Sequence, residues 1–379
     1  MKTVTNPLIT VLMAVYNGGK YLKSSVQSVL NQTYKDFEFL IINDCSTDDS
    51  VKIIESFNDK RIIVYNNEKN IGQTKSLNVG LKLARGKYVA RMDADDMAFP
   101  MWLDKLVKYI LEHPEYVAVS SYAAVIDGLG NPQRILKTSI NFQQIIVSLF
   151  FAKVMNHVGA VIKKEAIIEK GGYNENFITS QDYELWSSLI RTNYKVTNIP
   201  EVLVSIRVHK NSVGFIEESR KALLEVAEII TRTVNKMTNL TISCDEAIKL
   251  RLFYRFPSQL TIDEFKWAQS MYKKIFDNLK DEFKLDPKLL IIMLKKKLLR
   301  PICMFAIHAI ENNKPNIVRE VINNYNRHYD YHILPGMIFL LSYFRNDMIK
   351  KILYFYTKYA EISAKFKIRI KNSAFLKYL

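Results

Sequence analysis

Along its first 120 residues the chain alternates unbroken apolar runs with segments that are apolar on one face only. The runs are "LITVLMAV" (8–15), "FEFLIIN" (37–43), "RIIVYNN" (61–67) and "KYVARM" (87–92). Between them lie "KYLKSSVQSVLNQ", "TDDSVKIIESF" and "TKSLNVGLKLA", whose apolar residues recur at helical spacing. A strand that is apolar on both faces is one covered on both faces. Strand–helix alternation of this kind predicts a parallel α/β sheet between two helical layers. Ser46 or Thr47 is the expected N-cap of the second helix. Such sheets bind ligands beyond the carboxyl ends of their strands. The polar clusters fall there: "YNGG", "NDCSTDD", "NEKNIGQTKS" and "DADD" each follow a strand.

Further on, Pro100 is suited to opening a helix through "MWLDKLVKYILEHP", because proline is tolerated at a first helical position. "YVAVSSYAAVI" reads as a strand, "HVGAVIKKEAI" as a strand running into a short helix, "SQDYELWSSLIRTN" as an amphipathic helix and "EVLVSIRVHKNSV" as a last strand with a polar tail. From about residue 215 the pattern turns helical and strand-poor. The expected division is an α/β domain over 1–220 and an α-helical domain over 221–379.

Charge follows the same division. The formal net charge of +16 is unevenly spread: residues 1–220 hold 26 Lys and Arg against 23 acids, residues 221–379 hold 28 against 15. A basic helical part favours an anionic partner. Segments such as "LLIIMLKKKLLRP" and "AKFKIRIKNSAFLKYL" mix apolar and basic residues and point to acidic lipid headgroups; a self-packed helical domain or a homodimer interface is the alternative. Net charge alone suggests nucleic acid, and the motifs below speak against it. Cys45, Cys244 and Cys303 are scattered without metal spacing, which fits a reducing compartment. No apolar run reaches 18 residues, so no ordinary spanning helix is expected. The expected location is cytoplasmic, or peripheral at the inner face of the cell membrane.

The chemistry concentrates in "ARMDADD". Asp93, Asp95 and Asp96 repel one another directly after a buried strand, and a divalent cation would relieve that repulsion. In an extended backbone Asp93 and Asp95 project the same way and could face one ion together. The alternative is a solvated turn, with Asp96 capping the next helix. Asp44 could accept a hydrogen bond from a ribose or a base, or form an Asx turn with Ser46. Tyr16 offers an aromatic face beside a Gly pair, and Lys75 either meets a phosphate or lies on a helix surface. Asp182 and Glu184 open a helix, where acids ordinarily favour the dipole; facing the cleft, Asp182 could act as a general base. His209 follows a strand as a metal ligand or a loop residue. His157 reads as satisfied structure lining a cleft.

In order and spacing, "VLMAVYNGGKYLKSSVQSVLNQTYKDFEFLIINDCSTDDS", "NEKNIGQTKSLNVGLKLARGKYVARMDADD", "NHVGAVIKKEAIIEKGGYNENF" and "SQDYELW" resemble glycosyltransferase family 2, with the GT-A fold, over roughly residues 6–213. The resemblance implies an inverting transfer from a nucleotide-sugar donor, UDP favoured, to a glycan or lipid-linked acceptor of a surface polysaccharide. It implies a nucleotide-sugar site at Val15, Tyr16, Asn17, Asp44, Lys75, Asp93, Ala94 and Asp95. Within it, Tyr16 lines the base pocket, Asp44 contacts the base, and Asp93 lies near the ribose and diphosphate. Asp95 would hold Mn²⁺ or Mg²⁺, with His209 completing the metal site, and Asp182 would be the catalytic base. The chain departs from the family pattern at Asn43 and Cys45, where "DDGST" is commoner, and at Gln181, where Glu is common. A nucleotidyltransferase would need a Gly-rich basic loop after the first strand, where only Lys20 stands. An inactive binding module would have lost the acids, which are present.

Overall fold

The computed structural model describes residues 6–151, 154–209, 220–312 and 320. The chain forms two compact units, Met1–Met237 and Thr238–Leu379. The first is built on strands β1 (Ile9–Val15), β2 (Phe37–Asn43), β3 (Ile62–Asn66) and β4 (Tyr88–Arg91), all parallel. β1 is central: Ile9 pairs with Phe37 on one side and Tyr88 on the other. Every residue of β1 and β2 is buried, as their unbroken apolar runs require.

Helices α1 (Gly19–Leu30), α2 (Ser50–Glu55) and α3 (Gln73–Leu83) make the connections. α1 turns Leu22, Val26, Val29 and Leu30 inward at three- and four-residue spacing. α2 starts later than its sequence suggests. Ser46 and Thr47 are not its caps, because both are committed to the turn after β1: Asn17 N–H donates to Ser46 Oγ (3.0 Å) and Thr47 N–H to Asn17 Oδ1 (2.8 Å).

The sheet continues through the two-residue β5 (Met97–Ala98), β6 (Tyr116–Ile126), β7 (Pro132–Leu136), β8 (Val161–Lys163) and β9 (Lys195–Arg207). Its order is β3-β2-β1-β4-β8-β6-β9-β5, with β7 beside β6. β8 is antiparallel to both β4 and β6. β5 runs antiparallel to β9, which carries the end of β9 to the acids after β4. Around these strands lie α4 (Trp102–Glu112), α5 (Phe142–Leu149), α6 (Lys164–Glu169) and α7 (Gln181–Arg191). α4 begins two residues beyond Pro100. Trp102, fully buried, donates from Nε1 to the Gly159 carbonyl (2.8 Å).

Helix α8 (Arg220–Met237) belongs to this first unit, although its sequence was grouped with the helical part. It packs on α7 through a buried face that includes Val226, Ile229, Ile230 and Val234. The second unit is helical: α9 (Cys244–Arg255), α10 (Ile262–Glu282) and α11 (Pro287–Glu311). Ser243 with Glu246 and Thr261 with Glu264 form reciprocal caps at the starts of α9 and α10. Phe253, Phe265, Tyr272 and Phe305 form its aromatic core. Among the described residues no helix is long and apolar enough to cross a membrane. The basic segment 364–379 lies outside the described residues.

Candidate active site

The turns after β1 and β2 are tied together. Beyond the Asn17 bonds, Gly18 N–H donates to Ser50 Oγ and Gly19 N–H to Asp48 Oδ2, both at 3.0 Å. Asn17 and Cys45 both adopt left-handed backbone (φ 51° and 61°), which bends each turn away from its strand. A Cβ on Gly18 would sit 2.9 Å from Val15 and 3.4 Å from Ala94, so this glycine lets the first turn approach the acidic one. Tyr16 projects beside it with 52% of its surface exposed.

Asp44 is 2% exposed, and its carboxylate faces inward onto backbone and amide donors. Oδ1 accepts from Asn67 Nδ2 (2.8 Å) and Ile71 N–H (2.9 Å), and Oδ2 from Gly72 N–H (2.8 Å). Asp44 therefore shapes the loop from 67 to 72. Lys75 is exposed on α3; Gln73, not Lys75, reaches the acids.

Met92 still bonds the Leu12 carbonyl of β1, and the chain then turns over Asp93–Asp96, so Asp93 and Asp95 do not stand on one extended strand and take different partners. Asp93 Oδ1 is held by the buried Arg91 guanidinium and by Gln73 Nε2 (3.0 Å). Arg91 also bonds the Met92 carbonyl. Asp95 Oδ2 lies 3.0 Å from His209 Nε2, and the Asp95 side chain keeps 33% of its surface exposed. Asp96 is buried and does not cap α4: its Oδ1 accepts the Arg207 N–H at 2.7 Å. Burial first, and the Asp93 charge second, raise the Asp95 pKa above the ordinary aspartate value; the His209 bond offsets this only in part. Asp96 is pushed well above the ordinary value by burial and by Asp95 and Asp93. Burial and mutual repulsion thus both disfavour full ionisation of this turn.

The sequence did not single out the residues that assemble this corner. Arg207 donates from Nε to the Asp95 carbonyl (3.0 Å), and its guanidinium lies 4.6 Å from the centre of the Tyr21 ring. Tyr21 in turn lies 5.1 Å, ring to ring, from His209. One arginine and one tyrosine thus orient the Asp95–His209 pair.

Asp182, 8% exposed, stands in the first turn of α7. A hydrogen-bonded chain links its neighbour to the acids: Gln181 Nε2 donates to Gln73 Oε1 (3.0 Å), and Gln73 donates to Asp93. The buried Tyr173 has its pKa raised by burial first; Arg91 opposes this, and Asp93 and Asp182 add to it. Tyr173 Oη meets His157 Nε2 at 3.2 Å, and His157 packs edge-on to Trp186, so His157 is structural. Glu184 is structural too. It is buried and paired with Arg191 (2.8 Å) and Arg232 (3.6 Å).

Among the described residues no group of three or more His, Cys, Asp or Glu could hold a metal by itself. Asp95 and His209 offer one oxygen and one nitrogen, donor types that a divalent cation takes.

The family model for "Glycosyl transferase family 2" matches residues 10–170. The chain is 33% identical over 245 residues to an uncharacterized glycosyltransferase of Haemophilus influenzae, covering 61% of this chain and 76% of the relative. It is 32% identical over 247 residues to the O-antigen biosynthesis glycosyltransferase WbnJ of Escherichia coli, covering 62% and 93%. Among solved structures, S. aureus TarS 1–349 in complex with UDP-GlcNAc aligns with a TM-score of 0.53 at 17% identity, over 84% of this chain and 91% of that one.

Proposed function

The chain belongs to glycosyltransferase family 2, and on that premise we propose that it moves a sugar, with inversion, from a UDP-sugar to a hydroxyl of a surface-polysaccharide acceptor. Its GT-A architecture and its identity as a glycosyltransferase are the frame; donor, acceptor and residue roles are our reading. The observation that supports it is the hydrogen-bonded chain that runs from Gln181, the residue before Asp182, through Gln73 to Asp93 of the acidic turn. The O-antigen role of WbnJ and the UDP-GlcNAc complex of TarS support the choice of substrate class.

The exposed Tyr16 flanks the base, with Val15 and Asn17 beneath it. Asp44 would serve the base through the 67–72 loop that it holds, its carboxylate being turned onto the donors of that loop. Asp93, fixed by Arg91 and Gln73, orients the ribose and diphosphate, with Ala94 giving room for close approach. Lys75, exposed, adds positive charge near the phosphates. Asp95 and His209 would hold Mn²⁺ or Mg²⁺, which when bound supplies positive charge against the leaving diphosphate. Asp182 accepts the proton of the acceptor hydroxyl as its oxygen bonds to the anomeric carbon. The bond from that carbon to the diphosphate breaks on the opposite face, and one displacement inverts the centre. The basic helical unit would rest on anionic lipid at the inner face of the membrane and present a lipid-linked acceptor. Liposome flotation checks that part: salt-sensitive binding to anionic vesicles is the expected result.

UDP release from a panel of nucleotide sugars with Mn²⁺ tests the donor class. Asp182→Asn should cut turnover about 10²–10⁴-fold with UDP binding kept; unchanged turnover removes Asp182 as the base.

A further inference from the structure

Helix α8 lies beyond the region matched by the family model, yet one of its side chains reaches the segment that delivers Asp182. Glu225 is 7% exposed, a depth at which an acid needs partners. Its Oε2 accepts from Thr179 N–H (2.9 Å), Thr179 Oγ1 (2.6 Å) and Ser180 N–H (2.9 Å), and its Oε1 from Ile178 N–H (3.0 Å). A carboxylate with four donors is satisfied, and charge-assisted bonds to backbone N–H groups are strong. Residues 178–180 are the approach to α7, whose N-cap, Ser180, makes no side-chain capping bond of its own. Glu225 supplies that anchor from another helix.

We propose that Glu225 is a positioning residue: it fixes the 178–180 segment and thereby sets Gln181 and Asp182 against the acidic turn. This rests on the reading of Asp182 as the base. Two further bonds make the anchor specific. Thr74 Oγ1 donates to the Phe177 carbonyl (3.2 Å), so α3 grips the segment one residue before Glu225 does. Arg232, two turns along α8 from Glu225, lies 5.5 Å from the centre of the Phe177 ring and pairs with Glu184 of α7. The segment is thus held between the helix that bears Gln73 and the helix that bears Glu225. A base displaced by about 1 Å loses on the order of 10²-fold in rate, while the donor site keeps its own anchors, Arg91 on Asp93 and the tied turns after β1 and β2.

The test uses the full chain and three variants: Glu225→Gln, Glu225→Asp and Asp182→Asn. Turnover is read as UDP release from the nucleotide sugar most active in the panel, donor-site integrity as UDP affinity, and local order as amide exchange of residues 177–183. Glu225→Gln turns an amide toward donors. It should lower kcat at least tenfold, leave UDP affinity within twofold, and speed exchange at 177–183 but not in β1 or β2. Glu225→Asp, which keeps the charge, should recover part of the loss. A folded Glu225→Gln with kcat within twofold of the parent, or with UDP affinity falling in step with kcat, overturns the proposal. If Asp182→Asn is inactive while Glu225→Gln is fully active, the positioning role alone fails. If Asp182→Asn keeps full turnover, the base assignment fails and the proposal with it.

Discussion

Two acidic turns stand at the same edge of the same sheet and are built in opposite ways. After β2, Asp44 and Asp48 meet N–H and hydroxyl donors: Asn67, Ile71 and Gly72 for the first, Gly19 and Ser50 for the second. After β4, Asp95 and Asp96 meet each other, Asp93, and few donors, and both have raised pKa values. The supply of donors sets the difference. Where backbone N–H groups converge, a carboxylate is spent on holding loops. Where acids outnumber donors, ionisation is disfavoured, and a divalent cation is the kind of ligand that would relieve it.

Exchanging charge for shape in each turn breaks the comparison or sharpens it. The largest effect is expected at Asp95. Asp95→Asn should reduce turnover about 10²–10³-fold, as loss of electrostatic stabilisation at a leaving group does. The same variant should be no less stable than the parent at neutral pH. Its folded pKa is raised, so the ionised carboxylate is worse placed in the fold than in the unfolded chain, and removing the charge removes that deficit. Thermal unfolding beside UDP-release rates checks both halves. Asp44→Asn should behave the other way. Turning an amide toward buried N–H donors should cost about 2–3 kcal/mol, read by denaturant unfolding.

Asp48 should give the smallest effect, and one that depends on pH. Burial works to raise its pKa, but the Ser50 hydroxyl and the N–H groups of Gly19 and Ser50 outweigh it and hold the carboxyl below its ordinary value. A lowered folded pKa means stability that is present above the unfolded value and lost as pH falls through the folded one. Asp48→Asn should therefore cost about 0.5–1 kcal/mol at pH 7, as for an exposed cap, and nothing below the folded pKa. Unfolding curves at the two pH values decide it; a cost that persists in acid would mean the carboxylate's charge is irrelevant there.

Much of the sheet was legible because β1 and β2 are buried on both faces, and a run such as "LITVLMAV" has few other homes. The short helix after "VIK" and the helix opened by Gln181 were legible from their periodicity. β7 was not, since among the described residues Pro132–Leu136 pairs with β6 alone and its Gln133 and Arg134 are exposed. The two residues of β5 carry no pattern at all. In the site, the acids and His209 could be found from their place after strands. Arg207, Tyr21 and Gln73 could not, because what marks them is contact across large sequence separations: Arg207 meets residues 111 and 112 positions away. Glu225 looks in the sequence like any acid of an amphipathic helix, and only packing of α8 on α7 buries it. The extended-strand argument for Asp93 and Asp95 meets a local obstacle: the chain stays bonded to β1 through Met92 and then turns over Asp93–Asp96, and Arg91 itself claims Asp93.

The central claim is that the turn after β4 is a cation–diphosphate site and the turn after β2 is scaffold. Calorimetric titration of Mn²⁺ into UDP-saturated protein tests it most directly, with Asp95→Asn and Asp44→Asn beside the parent chain. The account expects one ion bound by the parent chain and by folded Asp44→Asn, and affinity at least tenfold weaker in Asp95→Asn. Equal Mn²⁺ affinity in Asp95→Asn and the parent would contradict it.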